Sequence, residues 1–205
     1  MFQASSINQV AVGLLAAAAF LISSPLVRAA DLEAGKALSQ TCVACHGPGG
    51  NSIIPGAPSI SGNAAQAISM QLFNYREGNR KNVQMTPIAE NLTNPEMNNL
   101  AAYFASEKVA PPTHQASAES LKIGPALTQQ YNCTQCHGPA LKGIQHIPRL
   151  AGQQYEYLLA QLQGFKAHTR YDMDGNMSSA MSVVKEADIP ILADYIAGLE
   201  YQSLR

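Results

Sequence analysis

The stretch CVACHGPGG, Cys42–Gly50, decides how this chain is read, because a near copy, CTQCHGPAL, begins at Cys133. Together the two stretches hold all 4 cysteines of the 205-residue sequence. A chain that places every cysteine in two copies of C-x-x-C-H-G-P uses that motif twice, for one kind of chemistry.

Outward from the motifs the two halves continue to match. PSISGN at Pro58 aligns with PRLAGQ at Pro148, an offset of 90, and the same offset pairs Gln71-Leu72 with Gln161-Leu162 and Arg80 with Arg170. MTPIAENLTNPEMNNLAAYF from Met85 then matches MSSAMSVVKEADIPILADYI from Met177 at an offset of 92, and GKALSQ at Gly35 resembles GPALTQ at Gly124. Self-similarity of this kind marks a tandem duplication with small loop insertions.

Each copy reads as three main helices joined by loops. The first has Asp31 to Thr41, Ala64 to Tyr75, and a last helix capped by Thr93 or Asn94, with Pro95 in its first turn and an end near Ser106. The second has Ser120 to Tyr131, Gln153 to Lys166 and Glu186 to Leu199, where Leu192, Tyr195, Ile196 and Leu199 recur at helical spacing. No window alternates as a strand, so the expected fold class is all-α, two loop-rich tandem domains. VAPPTHQASAES, with Pro111-Pro112, reads as a linker.

The N-terminus stands apart. Val10 to Ile22 is apolar and Ala-rich over 13 residues, and Val27 and Ala29 fit a cleavage site after Ala29. That run is short of the roughly 20 residues a membrane-spanning helix needs. The expected organisation is a signal peptide at 1–29, a domain at 30–109, a linker at 110–119 and a domain at 120–205. Export to the periplasm follows from the signal; no Lys or Arg precedes the apolar run, and the alternative to cleavage is a segment retained as a membrane anchor. A formal charge of −1, with no basic run, argues against nucleic-acid binding.

C-x-x-C alone has several readings. A thioredoxin-like redox pair belongs near a βαβ unit, and this chain reads as helical. A structural zinc site needs four N or S ligands, whereas each copy supplies two Cys and one His, and His114, His146 and His168 share no repeat spacing. Disulfides leave the His after each second Cys unexplained. C-x-x-C-H is the attachment signal for c-type haem: two thiols form thioethers to the porphyrin and the adjacent imidazole reaches the iron. The reading is therefore two covalently bound haem c groups, on Cys42 and Cys45 and on Cys133 and Cys136, with His46 and His137 on the irons.

A sixth ligand decides between an open iron and an electron carrier. Met85 and Met177 are the methionines that align between the copies, each 18 residues before a tyrosine of the last helix, Tyr103 or Tyr195. Met70 and Met97 read as core, and Met173 and Met181 flank Met177. His168 is the weaker alternative, because its repeat partner is Gly78. Pro58 and Pro148 are placed to offer a carbonyl to the ring N–H of His46 and His137. Arg80 and Arg170 are candidates to pair with haem propionates, or else solvated loop residues. Tyr103 and Tyr195 read as last-helix core residues near the haem.

These features resemble the cytochrome c4 family, through the paired CxxCHG motifs, the PSISG and PRLAG segments, Met85, Met177 and the AAYF and ADYI helices. The resemblance covers essentially the chain after the signal. It implies two class I cytochrome c domains related by approximate two-fold symmetry, with His46/Met85 and His137/Met177 as axial pairs and no catalysis. It further implies electron traffic from a respiratory donor, a quinol–cytochrome c reductase or small periplasmic carrier, to a terminal oxidase, with some peripheral membrane association. The alternative is a di-haem electron-accepting subunit of a periplasmic dehydrogenase, as in flavocytochrome-type sulfide oxidation. RYDMDGNM, the second methionine loop, is two residues longer than RKNVQM, the first, which puts the local geometry of Met177 at issue.

Overall fold

The computed structural model describes residues 29–201; the expected signal segment lies outside the described residues except for Ala29. The first copy holds α1 (Leu32–Leu38), α2 (Val43–His46), α3 (Ala65–Arg76), α4 (Met85–Ala89) and α5 (Asn94–Ser106). The second holds α6 (Ala118–Gln130), α7 (Cys133–His137), α8 (Tyr155–Lys166), α9 (Asn176–Ser182) and α10 (Asp188–Ala197). Among the described residues there is no strand, only a single bridge between Ile144 and Ile147. The all-α expectation holds.

Helix ends follow from local capping, and this is where the sequence reading shifts. Asp31 lies outside α1 and caps it, its Oδ1 accepting from Ala34 N at 3.0 Å. Thr93 and Glu96 form a reciprocal capping box on α5, with Pro95 in the first turn where no donor is lost. α6 starts at Ala118, two residues before the expected Ser120, because the Ser117 hydroxyl accepts from Ser120 N at 3.1 Å. α8 begins at Tyr155 rather than Gln153, since the side chains of Gln153 and Gln154 are committed to the other copy.

Each copy has its own apolar core. Ile68, Leu100, Ala101 and Phe104 centre the first, and Leu158, Leu162, Ile189, Leu192 and Ile196 are among those centring the second. In each copy the first helix crosses the last, α1 over α5 and α6 over α10, with a glycine at the crossing. A Cβ on Gly35 would stand 2.2 Å from the Asn99 carbonyl oxygen, and one on Gly124 would stand 2.2 Å from Cγ of Tyr195. Tyr103 and Tyr195 are thus half-buried residues seated on these glycines at the helix crossing, a more specific role than the general core position read from sequence.

The loop after each motif closes in the same way twice. Gly50 O accepts from Ile60 N (2.7 Å) and Ser61 N (3.1 Å), and Leu141 O accepts from Leu150 N (2.9 Å) and Ala151 N (3.2 Å). Gly62 N then donates to Phe104 O and Gly152 N to Ile196 O, tying each loop to its last helix. The left-handed backbone falls on Gly49 and Gly50 in the first copy but on Ala140 (φ 52°) and Leu141 (φ 57°) in the second. That conformation strains a side-chain-bearing residue. Leu141 is 2% exposed, so what the strain costs is offset by an apolar side chain placed in the core.

The linker docks on the second copy. Asp194 of α10 accepts from His114 Nε2 and from Ser117 N, and the His114 ring stacks on Tyr155 at 5.0 Å between centroids.

The glycine contact gives a direct test of the helix crossing. Gly124→Ala forces Tyr195 or α6 to shift and is expected to cost about 1–3 kcal/mol, the usual penalty for overpacking. Denaturant unfolding of the haem-loaded protein measures it, and an unchanged midpoint would contradict the close approach.

Candidate functional site

The motif cysteines and histidine share one tight turn of chain. Cys45 N and His46 N both donate to Cys42 O, at 3.2 and 2.9 Å, so two thiols and an imidazole project from a single helical turn. Gly47 (φ 74°) lets the chain turn back at once, and a Cβ there would meet Asn51 O at 2.1 Å. Gly138 (φ 75°) does the same after His137. None of the four cysteines is in a disulfide; Cys42 and Cys133 are half-buried against the cores, and Cys45 and Cys136 are exposed. Burial pushes the Cys42 and Cys133 thiols up, the reverse of the depressed values of a reactive dithiol.

His46 and His137 are each 7% exposed, and Nδ1 of each donates at 2.8 Å to the carbonyl of Pro58 or Pro148. A carbonyl can only accept, so the proton sits on Nδ1 and Nε2 carries the lone pair. Burial pulls both rings below the ordinary histidine range, only partly opposed by the proline carbonyl, which keeps them neutral. Neutral, oriented imidazole with a free Nε2 is the form that binds a metal. The remaining histidines stand elsewhere: His114 pairs with Asp194, and His146 and His168 are exposed.

Each methionine loop ends in a short helix that sequence reasoning did not anticipate. Met85 opens α4, and Met177 lies in the first turn of α9; both are half-buried. Met173 is 61% exposed and Met181, at 3%, belongs to the second core, which separates Met177 from its two neighbours. Met97 is core as expected, whereas Met70 is only partly buried.

Two polar residues hold the methionine backbones. Asn82 Oδ1 accepts from Met85 N at 2.9 Å, and Asp172 Oδ2 accepts from Met177 N at 2.7 Å. Asn82 and Asp172 share the 90-residue offset of the two arginines, so the two extra residues of the second loop fall between the cap and the methionine. Gly175, with φ 70°, takes up part of that insertion. Partial burial raises the Asp172 carboxyl, but its bonds from Ser178 and Met177 hold it below the usual carboxylate value. The matched spacing after each arginine was the available signal for this pair.

Arg80 and Arg170 are not solvated loop residues. Arg80 reaches across to the second copy, donating to Tyr157 Oη and Gln161 Oε1 at 3.0 Å each, and also to Gln71. Arg170 donates to the same Gln161 oxygen, and each guanidinium lies over a ring of its own copy, Tyr75 at 4.6 Å or Phe165 at 4.4 Å. Loss of solvent raises the Tyr157 phenol, but the two guanidiniums outweigh this and bring it down to about 8. A third cation, Arg149, was missed: it is 1% exposed, and burial pushes it down to about 10. Nε of Arg149 and Nε of Arg170 are buried without a hydrogen-bond partner, and among the described residues no carboxylate pairs with any of the three arginines.

These observations fit a porphyrin that carries carboxylates. Paired cysteine thiols and a preset imidazole would hold its vinyl groups and iron, and three buried guanidiniums would be matched by the carboxylates of its propionates.

Known proteins agree. The cytochrome c family profile matches residues 32–108 and again 121–200. Cytochrome c4 of Pseudomonas aeruginosa is 35% identical over 181 residues, 83% of this chain and 90% of that protein. A thiosulfate dehydrogenase electron acceptor of Thiomonas intermedia is 32% identical over 172 residues, 78% of each chain. The crystal structure of reduced recombinant cytochrome c4 from Pseudomonas stutzeri superposes with a TM-score of 0.76 at 31% identity, covering 83% of this chain and 100% of that one. Two C-x-x-C-H sites on one duplicated helical scaffold, with these likenesses across both copies, make the chain a member of the cytochrome c family and a di-haem electron-transfer protein of the cytochrome c4 type, not an enzyme, with two covalently bound haem c groups.

Proposed function

We propose that the chain carries electrons in the periplasm from a respiratory donor, a quinol–cytochrome c reductase or small periplasmic carrier, to a terminal oxidase. The axial pairs in this reading are His46/Met85 and His137/Met177. The observation that carries it is the matched pair of half-buried methionines, each fixed by a side-chain cap at the head of a short helix. When bound, each haem supplies a one-electron couple, which a methionine sulfur shifts to higher potential. The protein's part is to hold two neutral imidazoles by Pro58 and Pro148, and to keep two methionine thioethers half-buried, that of Met177 against the second core. Arg80 and Arg170, joined by Arg149, supply the positive charge for the propionates.

The localisation rests on the apolar segment at Val10–Ile22 and the cleavage site after Ala29. No helix of the described residues is long and apolar enough to cross a membrane, and peripheral membrane association enters through the family resemblance. A second reading, an electron-accepting partner of a periplasmic dehydrogenase, is favoured by the likeness to the Thiomonas electron acceptor. Co-purification with a large dehydrogenase subunit, and no oxidation by oxidase-containing membranes, would select it over the oxidase reading.

The ligand assignment predicts that oxidised protein shows the weak far-red band of sulfur-bound ferric haem. Met85→Ala and Met177→Ala should each remove about half of its intensity, one haem of two. Met181→Ala should leave the band intact and cost about 2–5 kcal/mol of stability, as deletion of a buried side chain does. Loss of band in Met181→Ala rather than Met177→Ala would overturn the second pair.

The carrier reading also predicts slow carbon monoxide binding by the reduced protein at neutral pH. An incoming ligand competes with a thioether that the fold keeps at high effective concentration. Stopped-flow mixing checks this, and rapid stoichiometric binding at either site would contradict closed coordination.

A further inference from the structure

The carbonyl that holds each histidine belongs to a peptide unit whose N–H is held by the other copy. Pro58 O accepts from His46 Nδ1 at 2.8 Å, and the N–H of that same peptide, on Ser59, donates to Gln153 Oε1 of the second copy at 2.7 Å. In the second copy Pro148 O accepts from His137 Nδ1 at 2.8 Å, and the N–H of that peptide, on Arg149, donates to Asn63 Oδ1 of the first copy at 2.8 Å. Asn63 and Gln153 are repeat partners at the 90-residue offset, so the two arrangements are related by the pseudo-two-fold of the molecule. All four peptide and amide residues are buried: Ser59 at 7%, Gln153 at 5%, Arg149 at 1% and Asn63 at 6%.

We propose that Gln153 and Asn63 are positioning residues that set the electron donation of the histidine in the opposite copy, each acting through one peptide unit. The sequence of contacts is His46 Nδ1–H to Pro58 C=O, through the amide bond, and Ser59 N–H to Gln153. It is repeated as His137, Pro148, Arg149 and Asn63. An amide is a conjugated unit, so an acceptor on its N–H drives electron density onto its oxygen. That oxygen then accepts more strongly from the imidazole, which gains anionic character and donates more to a metal on Nε2. Hydrogen bonds in such chains strengthen one another by roughly 10–30% per bond in a desolvated setting.

The geometry separates this role from ordinary interface adhesion. Gln153 Nε2 also donates to Ser59 O at 2.8 Å, and Asn63 Nδ2 donates to Ile60 O at 3.3 Å, so both amides are locked with the carbonyl facing the peptide N–H. Gln154 sits beside Gln153 and also crosses the interface, donating to Ser52 O, but touches no peptide unit that holds a histidine. The backbone N–H of Gln154 also donates to Gln153 Oε1, at 2.9 Å, a bond that a side-chain substitution keeps, so the Gln154 side chain is the control: it shares the interface and lies outside the relay.

The inference rests on the haem reading, and the test distinguishes the two. Potentiometric titration of the unmodified two-haem protein should resolve two one-electron couples, assigned to the copies with Met85→His, which lowers the first. Gln153→Met removes an acceptor from the first copy's peptide and should raise the first haem's potential, leaving the second unmoved. Asn63→Leu should raise the second and leave the first. Gln154→Met should shift neither. In reduced, diamagnetic protein the ring Nδ1 proton of His46 should move upfield in Gln153→Met, and that of His137 in Asn63→Leu. If Gln153→Met does not yield folded protein, Gln153→Ala, with room for a water, should give a smaller shift of the same sign on the same couple. The crossed pattern supports the relay. Two intact couples that move together, that move in the substituted copy, or that do not move would overturn it. Absence of two couples in the unmodified protein would overturn the haem reading itself.

Discussion

The structure depends on one local constraint, the single helical turn that presents two thiols and an imidazole in five residues. A thioether at each cysteine leaves a porphyrin almost no freedom relative to that turn, so every other contact must come from elsewhere in the copy. The loop to Pro58 or Pro148 returns to the back of the imidazole, and the bonds from Gly50 O and Leu141 O hold that return in place. The backbone of the methionine loop is tied down separately, by Asn82 or Asp172. The crossing of first and last helices over Gly35 and Gly124 closes the shell. Each copy is small for a self-sufficient core, and a buried prosthetic group supplies apolar surface that 46% hydrophobic residues with no tryptophan must otherwise provide alone.

Duplication then adds what one copy cannot make. The two PSI and PRL loops face each other, so the peptides that hold the histidines are also the peptides that join the copies. The arginine network does the same on another part of the interface, with Gln161 accepting from both Arg80 and Arg170. The two-fold is imperfect: Tyr157 has Ala67 as its repeat partner, and Arg149 has Ser59, so the second copy supplies the extra phenol and the extra cation. Two sites that began as equals therefore sit in different electrostatic surroundings, which is a physical route to unequal potentials in one molecule.

Much of this was legible in the sequence because it is local or repeated. The motif turns, a cap on α5 at Thr93 or Asn94 and the role of the proline carbonyls follow from spacing within one copy, and the alignment of Met85 with Met177 from the repeat between copies. Three things were not legible, each for a stated reason. The left-handed Ala140-Leu141 conformation is set by loop closure against a core, and sequence propensity argues against it. The partners of Asn63, Gln153 and Arg149 lie 86 to 94 positions away and exist only once the copies dock. The burial of Met181 depends on how α9 lies on α8, which hydrophobic period over seven residues does not fix, while the exposed Met173 lies in the loop ahead of that helix.

Iron K-edge X-ray absorption of the oxidised holoprotein tests the central claim most directly, because it counts ligands at both irons at once. The account predicts one sulfur and five nitrogens per iron, averaged over two equivalent sites. A sulfur count of one half, or none, would contradict the paired His46/Met85 and His137/Met177 coordination on which this reading of the duplicated fold rests.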